Sequence, residues 1–105
     1  MINIEQRHLD MVMNILKKYD YTFYIFGSRI TEKAKKFSDL DLFYIDPIPE
    51  KTLYLIKEEF EESNLPYTVD LVNYQKCKPY FKEIIKQNYQ LLYKSSRSEN
   101  VDTQF

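Results

Sequence analysis

Three aspartates and one glycine carry the chemistry open to this sequence. Asp39 and Asp41 stand two residues apart in the run "DLDLFYI", and Asp70 sits in a second alternating run, "PYTVDLVNY". Side chains alternate faces along a strand, so Asp39 and Asp41 share one face while Leu40 and Leu42 share the other. By the same rule Thr68, Asp70 and Val72 point opposite to Tyr67, Val69 and Leu71. If the two strands are neighbours, three carboxylates converge. Such a group repels itself and raises its own pKa values unless a cation neutralises it. Mg²⁺ suits that role, because it prefers hard oxygen ligands and a few carboxylates completed by substrate phosphates. Carboxylates at i and i+2 lie roughly 6–7 Å apart at Cα. Their oxygens can then share two ions about 3.5–4 Å apart, the geometry of two-metal phosphoryl chemistry.

Gly27 is the only glycine in 105 residues, and Ser28 follows it. A strand that ends in Gly-Ser and turns into a helix exposes backbone N–H groups where glycine lets the chain approach an anion and serine adds a hydroxyl. Taken alone, Gly27 is equally well an ordinary turn glycine. In combination the pattern is more telling: at residue frequencies of roughly 5–7%, Gly-Ser, ten residues, Asp, any, Asp arises by chance in about one chain of this length per thousand. Arg29, Lys33, Lys35 and Lys36 lie close by in sequence and could offset an anion's charge, or form a solvated basic turn.

The arrangement Gly27-Ser28, ten residues, Asp39-Leu40-Asp41, with Asp70 on a later strand, resembles the minimal nucleotidyltransferases of the DNA polymerase beta superfamily. The resemblance covers residues 20 to 93 and includes the neighbouring "FGSR" and "SDLDL". Glu32 departs from it, since many relatives place a glycine there. The resemblance implies that Asp39 and Asp41 bind two Mg²⁺ ions, that Asp70 completes the ion activating an acceptor hydroxyl, and that Gly27, Ser28 and Arg29 hold the phosphates of ATP. It also implies a palm-like domain and a hetero-oligomeric partner, a HEPN-type ribonuclease toxin, on whose tyrosine AMP would be placed. A binding antitoxin that masks the toxin without catalysis is the second reading. Transfer to a small molecule such as an aminoglycoside is the third.

The elements that must position these residues are legible from periodicity. Asn3 with Gln6 suggests a capping box opening a helix over 4–19. "YTFYIF", 21–26, is β-branched and aromatic and stops at Gly27, as a buried strand does. "DLDLFYI" gives the second strand. Pro49 opens a helix whose apolar face is Leu53, Ile56 and Phe60, and residues 67–72 alternate as a third strand. Residues 79–87 read as a helix, Asn88 as its left-handed cap, and 90–93 as a short closing strand. The expected fold is therefore α/β (α+β), a small mixed sheet of three to four strands with helices on one face. It forms one domain over residues 1–94 with a flexible tail over 95–105.

Composition limits the alternatives. The chain is 44% hydrophobic and 30% charged with a net charge of −1, which suits one small core and lacks the basic face that nucleic-acid or membrane-surface binders use. No apolar run approaches the roughly 20 residues that span a bilayer, and no basic-then-apolar leader pattern opens the chain, so a cytoplasmic location is expected. The lone Cys77 has no internal partner, and His8 has no second ligand at metal spacing on its helix face. With ten Tyr and seven Phe in so small a domain, some rings are expected at the surface, where they would suit a protein partner.

Overall fold

The structure is a computed structural model that describes residues 2–97. In chain order its elements are α1 (Gln6–Tyr19), β1 (Phe23–Phe26), a 3₁₀ turn (Gly27–Ile30), β2 (Leu40–Tyr44), α2 (Glu50–Glu62), β3 (Val69–Asn73), a second 3₁₀ turn (Tyr74–Lys76), α3 (Pro79–Gln87) and β4 (Tyr89–Tyr93). The four strands form one mixed sheet in the order β3-β2-β1-β4. β1 is antiparallel to both β2 and β4, while β2 and β3 are parallel. A parallel pair needs a crossover, and α2 supplies it.

Alternation sorts the two faces as the sequence requires. Leu40, Leu42, Phe23 and Ile25 turn toward α1 and α2, where they meet Val12, Ile15, Leu16, Ile56 and Phe60 in the main core. The acids' face is not bare. Its far half is aromatic: Tyr24, Phe26 and Phe43 pack with Tyr74 and with Ile85 of α3, and the Tyr24 and Phe43 rings stack at 4.8 Å between centroids. One helix therefore covers this face beyond the acids and leaves the acid end open.

Three local readings change. Asn3 does not cap α1; Glu5 holds that position without a side-chain bond, and Gln6 donates to Asp10 instead. The Asn3 backbone N–H donates instead to the Arg29 carbonyl, which ties residue 3 to the first 3₁₀ turn. Asn88 is extended at φ −160°, and the left-handed cap is Asp20 at φ 59°. Asp tolerates that conformation because its short polar side chain can bond locally. Here the Asp20 carboxylate accepts hydrogen bonds from the Ser96 N–H, the Ser96 hydroxyl and the Tyr93 hydroxyl. The third strand begins two residues later than its alternation suggests, at Val69.

The expected loose tail begins with ordered residues. The Ser95 N–H donates to the Thr22 hydroxyl and Arg97 donates to the Asp20 carbonyl; residues 98–105 lie outside the described residues. Among the described residues no helix is long and apolar enough to cross a membrane.

Candidate active site

β2 and β3 bring the acids together. The Leu40 N–H donates to the Thr68 carbonyl at 2.9 Å, which fixes the parallel register and sets Asp41 directly opposite Asp70. The two carboxyls lie on the same face of neighbouring strands, in hydrogen-bonding contact. Burial, the charge of Asp70, the charge of Asp39 and the hydrogen bond that protonated Asp41 donates to Asp70 together push the Asp41 carboxyl up to about 6. Left without a cation, Asp41 holds on to a proton through mildly acidic pH.

That electrostatic conflict is what a hard cation relieves. Among the described residues no three acidic, His or Cys side chains stand together at metal-binding spacing. The close pair is Asp41 and Asp70, and Asp39, exposed just before β2, acts on it through its charge. Oxygen donors of this kind fit Mg²⁺, which keeps waters and takes only one or two protein carboxylates beside substrate phosphates.

Gly27 lies against Asp41 of that pair. Its φ is +82°, and a Cβ added there would stand 2.5 Å from Oδ2 of Asp41. The chain needs glycine twice over, for the left-handed backbone and for the space the carboxylate occupies. Ser28 follows on the 3₁₀ turn, which Thr31 closes by donating its N–H and its hydroxyl to the Ser28 carbonyl at 3.0 and 2.9 Å. The expected phosphate seat therefore lies beside the Asp41 carboxylate.

Arg29 departs from its expected place among the phosphates. It is buried at 6% exposure, and its guanidinium donates to the carbonyls of Asn3, Lys36 and Ser38 at 2.7–3.2 Å. The same group lies 4.1 Å from the centre of the Tyr67 ring. A planar fork with five donors is suited to clasping several carbonyls. Its role is to bind the N-terminal arm to the loop over 31–39 and so hold the Gly-Ser turn. Arg29→Lys cannot reach three carbonyls at once and leaves buried acceptors unmet, at about 1–3 kcal/mol each. Thermal melting should show a loss of at least 8 °C, on the order expected for about 2 kcal/mol in a domain this small. Lys33, Lys35 and Lys36 are exposed on the same loop.

Two walls of the site were not evident from sequence motifs. A groove of about 990 Å³ runs past Asp41 and Asp70, with Phe26 and Phe81 among its lining. The two rings meet edge to face at 6.1 Å. Phe26 could have been found, since it pairs with Asp41 across β1 and β2. Phe81 comes from α3, and no local pattern links that helix to the acids.

Known proteins are similar to this chain in sequence and fold. A family model described as "Polymerase beta, Nucleotidyltransferase" matches residues 10–98. The chain is 38% identical over 101 residues to the probable protein adenylyltransferase MntA of Haemophilus influenzae, covering 92% of this chain and 89% of that one. The fold is also that of a chain in a crystal structure of a toxin–antitoxin with AMP-PNP, with a TM-score of 0.62 and 17% identity, over 84% of this chain and 74% of that chain.

Proposed function

Because this chain belongs to the polymerase beta nucleotidyltransferase family, in its minimal branch, we propose that it transfers AMP from ATP to a tyrosine hydroxyl of a HEPN-type toxin and so neutralises it. The observation that carries the reading is Asp41, paired with Asp70 and seated against Gly27. The relative named as a protein adenylyltransferase supports AMP as the group and protein as the acceptor. The similar fold in a toxin–antitoxin with AMP-PNP supports a toxin partner and an adenine nucleotide. A cytoplasmic setting supplies ATP and the partner alike.

In this reading Asp39, Asp41 and Asp70 would hold two Mg²⁺ ions, which would offset charge on the attacking and departing oxygens. Gly27 and Ser28 seat the β- and γ-phosphates. The tyrosine oxygen forms a bond to the α-phosphorus, the bond to the bridging oxygen of the β-phosphate breaks, and pyrophosphate leaves. The tyrosine proton departs past Asp70, the exposed member of the pair. In-line placement of the reacting groups is the protein's main contribution, because phosphoryl chemistry depends on position and charge.

Purified protein with its toxin, labelled ATP and Mg²⁺ should place label on the toxin, and chelation of the metal should stop it. Asp39→Asn should reduce that label at least about 100-fold; full transfer by this variant rejects the assigned site. A masking antitoxin is the second reading, favoured by exposed rings at Phe37, Tyr54 and Tyr80. A variant with Asp39, Asp41 and Asp70 all changed to Asn should fail to protect cells from the toxin. Protection by that variant would mean that binding alone neutralises.

A further inference from the structure

β3 is an edge strand, and the direction of its backbone groups follows from the register. In a parallel ladder one residue in two on each strand bonds to the neighbour. The Leu40 N–H donates to the Thr68 carbonyl, and Leu40 lies opposite Val69. Thr68, Asp70 and Val72 therefore turn their backbone groups toward β2, and Val69 and Leu71 turn theirs outward. Among the described residues no strand pairs with that outer side.

Proteins usually protect such edges with lysines, prolines or bulges. β3 reads Val-Asp-Leu-Val-Asn and has none of these, with Asp70 its only charge. The opposite edge, β4, differs: its register with β1 is broken by an irregularity between Phe23 and Tyr24. The bare edge also runs along the groove of about 990 Å³. Phe60, Leu65 and Leu71 line one side of the groove and Asp41, Val72 and Phe81 the other. A strand laid there would find an apolar wall for one set of its alternate side chains and the acid pair for the other.

The geometry points to docking of the acceptor protein as an extended segment that adds a fifth strand to the outer edge of β3, with its reacting residue opposite Asp70. This rests on the transfer reaction proposed above. The groove that carries the free edge also contains both carboxylates, so the occupant of the edge is the chain that must reach them. Main-chain pairing would give affinity, and the pockets on alternate sides would give selectivity. A side chain opposite Asp70 shares its face, with Cβ atoms roughly 5 Å apart. From there the reacting oxygen must lean over β3, somewhat more than one strand spacing of about 5 Å from its own backbone. That span favours tyrosine over the shorter serine and threonine as the acceptor.

Amide hydrogen exchange tests the docking directly. In the free protein the Val69 and Leu71 amides should exchange about 100-fold faster than those of Asp70 and Val72. Adding the HEPN-type toxin should slow the Leu71 amide at least about tenfold, and an unchanged rate in a formed complex overturns the inference. Slow exchange at Leu71 in the free protein, with dimers in light scattering, overturns it too, because the edge would then pair with a second copy. Leu71→Pro removes an outward N–H while leaving the bonds to β2, as prolines on edge strands do. It should raise the KM for toxin about tenfold while kcat changes less than about twofold. A wild-type KM in that variant, folded by circular dichroism, also counts against strand addition. If no label reaches the toxin even with wild-type protein, the reaction assigned above fails, and exchange in the toxin complex still decides whether β3 is the docking strand.

Discussion

Asp41→Asn is expected to abolish transfer and, at the same time, to make the free protein more resistant to heat at neutral pH. The two effects have one source. A carboxyl held near 6 instead of the usual 3.8 is a group the fold prefers uncharged. The folded chain then binds more protons than the unfolded chain between those values, so stability falls as pH rises from about 4 to 6 and stays level above. The full difference corresponds to about 3 kcal/mol, and solvent around this half-buried side chain reduces it to about 1 kcal/mol. An amide has no charge to lose, so the variant should melt several degrees higher than the parent at neutral pH in chelator, and the gap should close near pH 4. Mg²⁺ should raise the melting temperature of the parent and leave the variant unmoved. Transfer should fall at least about 1000-fold, because a metal-holding carboxylate commonly contributes several kcal/mol to the reaction. A variant that is less stable than the parent at neutral pH would show that the Asp41 carboxylate supports the fold, contrary to its surroundings.

Gly27→Ala should damage both stability and transfer. Alanine at φ +82° strains the backbone, at about 1–2 kcal/mol. The new methyl must also displace the Asp41 carboxylate, since 2.5 Å is closer than two such atoms can stand. Movement of about 1 Å at a reacting centre can cost about 100-fold in rate. Combining Gly27→Ala with Asp41→Gly separates the two causes: stability should return in part while transfer stays absent. If Gly27→Ala keeps near-normal transfer, the seat and the carboxylates do not share the space described here.

The sequence made most of this site visible because its signals are local. Alternation through "DLDLFYI" and "PYTVDLVNY" assigned faces to Asp39, Asp41 and Asp70 before any pairing was known. The placement of Asp70 opposite Asp41 is not local, because it depends on the Thr68 carbonyl meeting the Leu40 N–H across a crossover helix. Arg29 shows where proximity in sequence misleads. It stands two residues after Gly27, yet it is drawn inward by the carbonyls of Asn3, Lys36 and Ser38, which no spacing rule brings together. Asp20 and Asn88 exchange expectations for a similar reason: the hydrogen bonds that support a left-handed Asp20 come from Tyr93 and Ser96, more than 70 residues away. α3 read correctly as a helix from Pro79 to Gln87, but its position over the aromatic half of the sheet depends on packing with β1 and β2.

The sheet order carries a consequence for how the chain acquires its shape. β1 lies in the interior of the sheet, and one of its two neighbours is β4, the last strand in sequence. Closing so long a loop is entropically slow. Until it closes, Phe23–Phe26 presents an open edge of three aromatic rings and an isoleucine, the kind of surface through which incomplete chains associate. A chain truncated before Tyr89 would therefore collect as aggregate before its loss of activity could be measured. A strand that carries none of the aspartates decides whether the chain reaches its working state alone or in clumps.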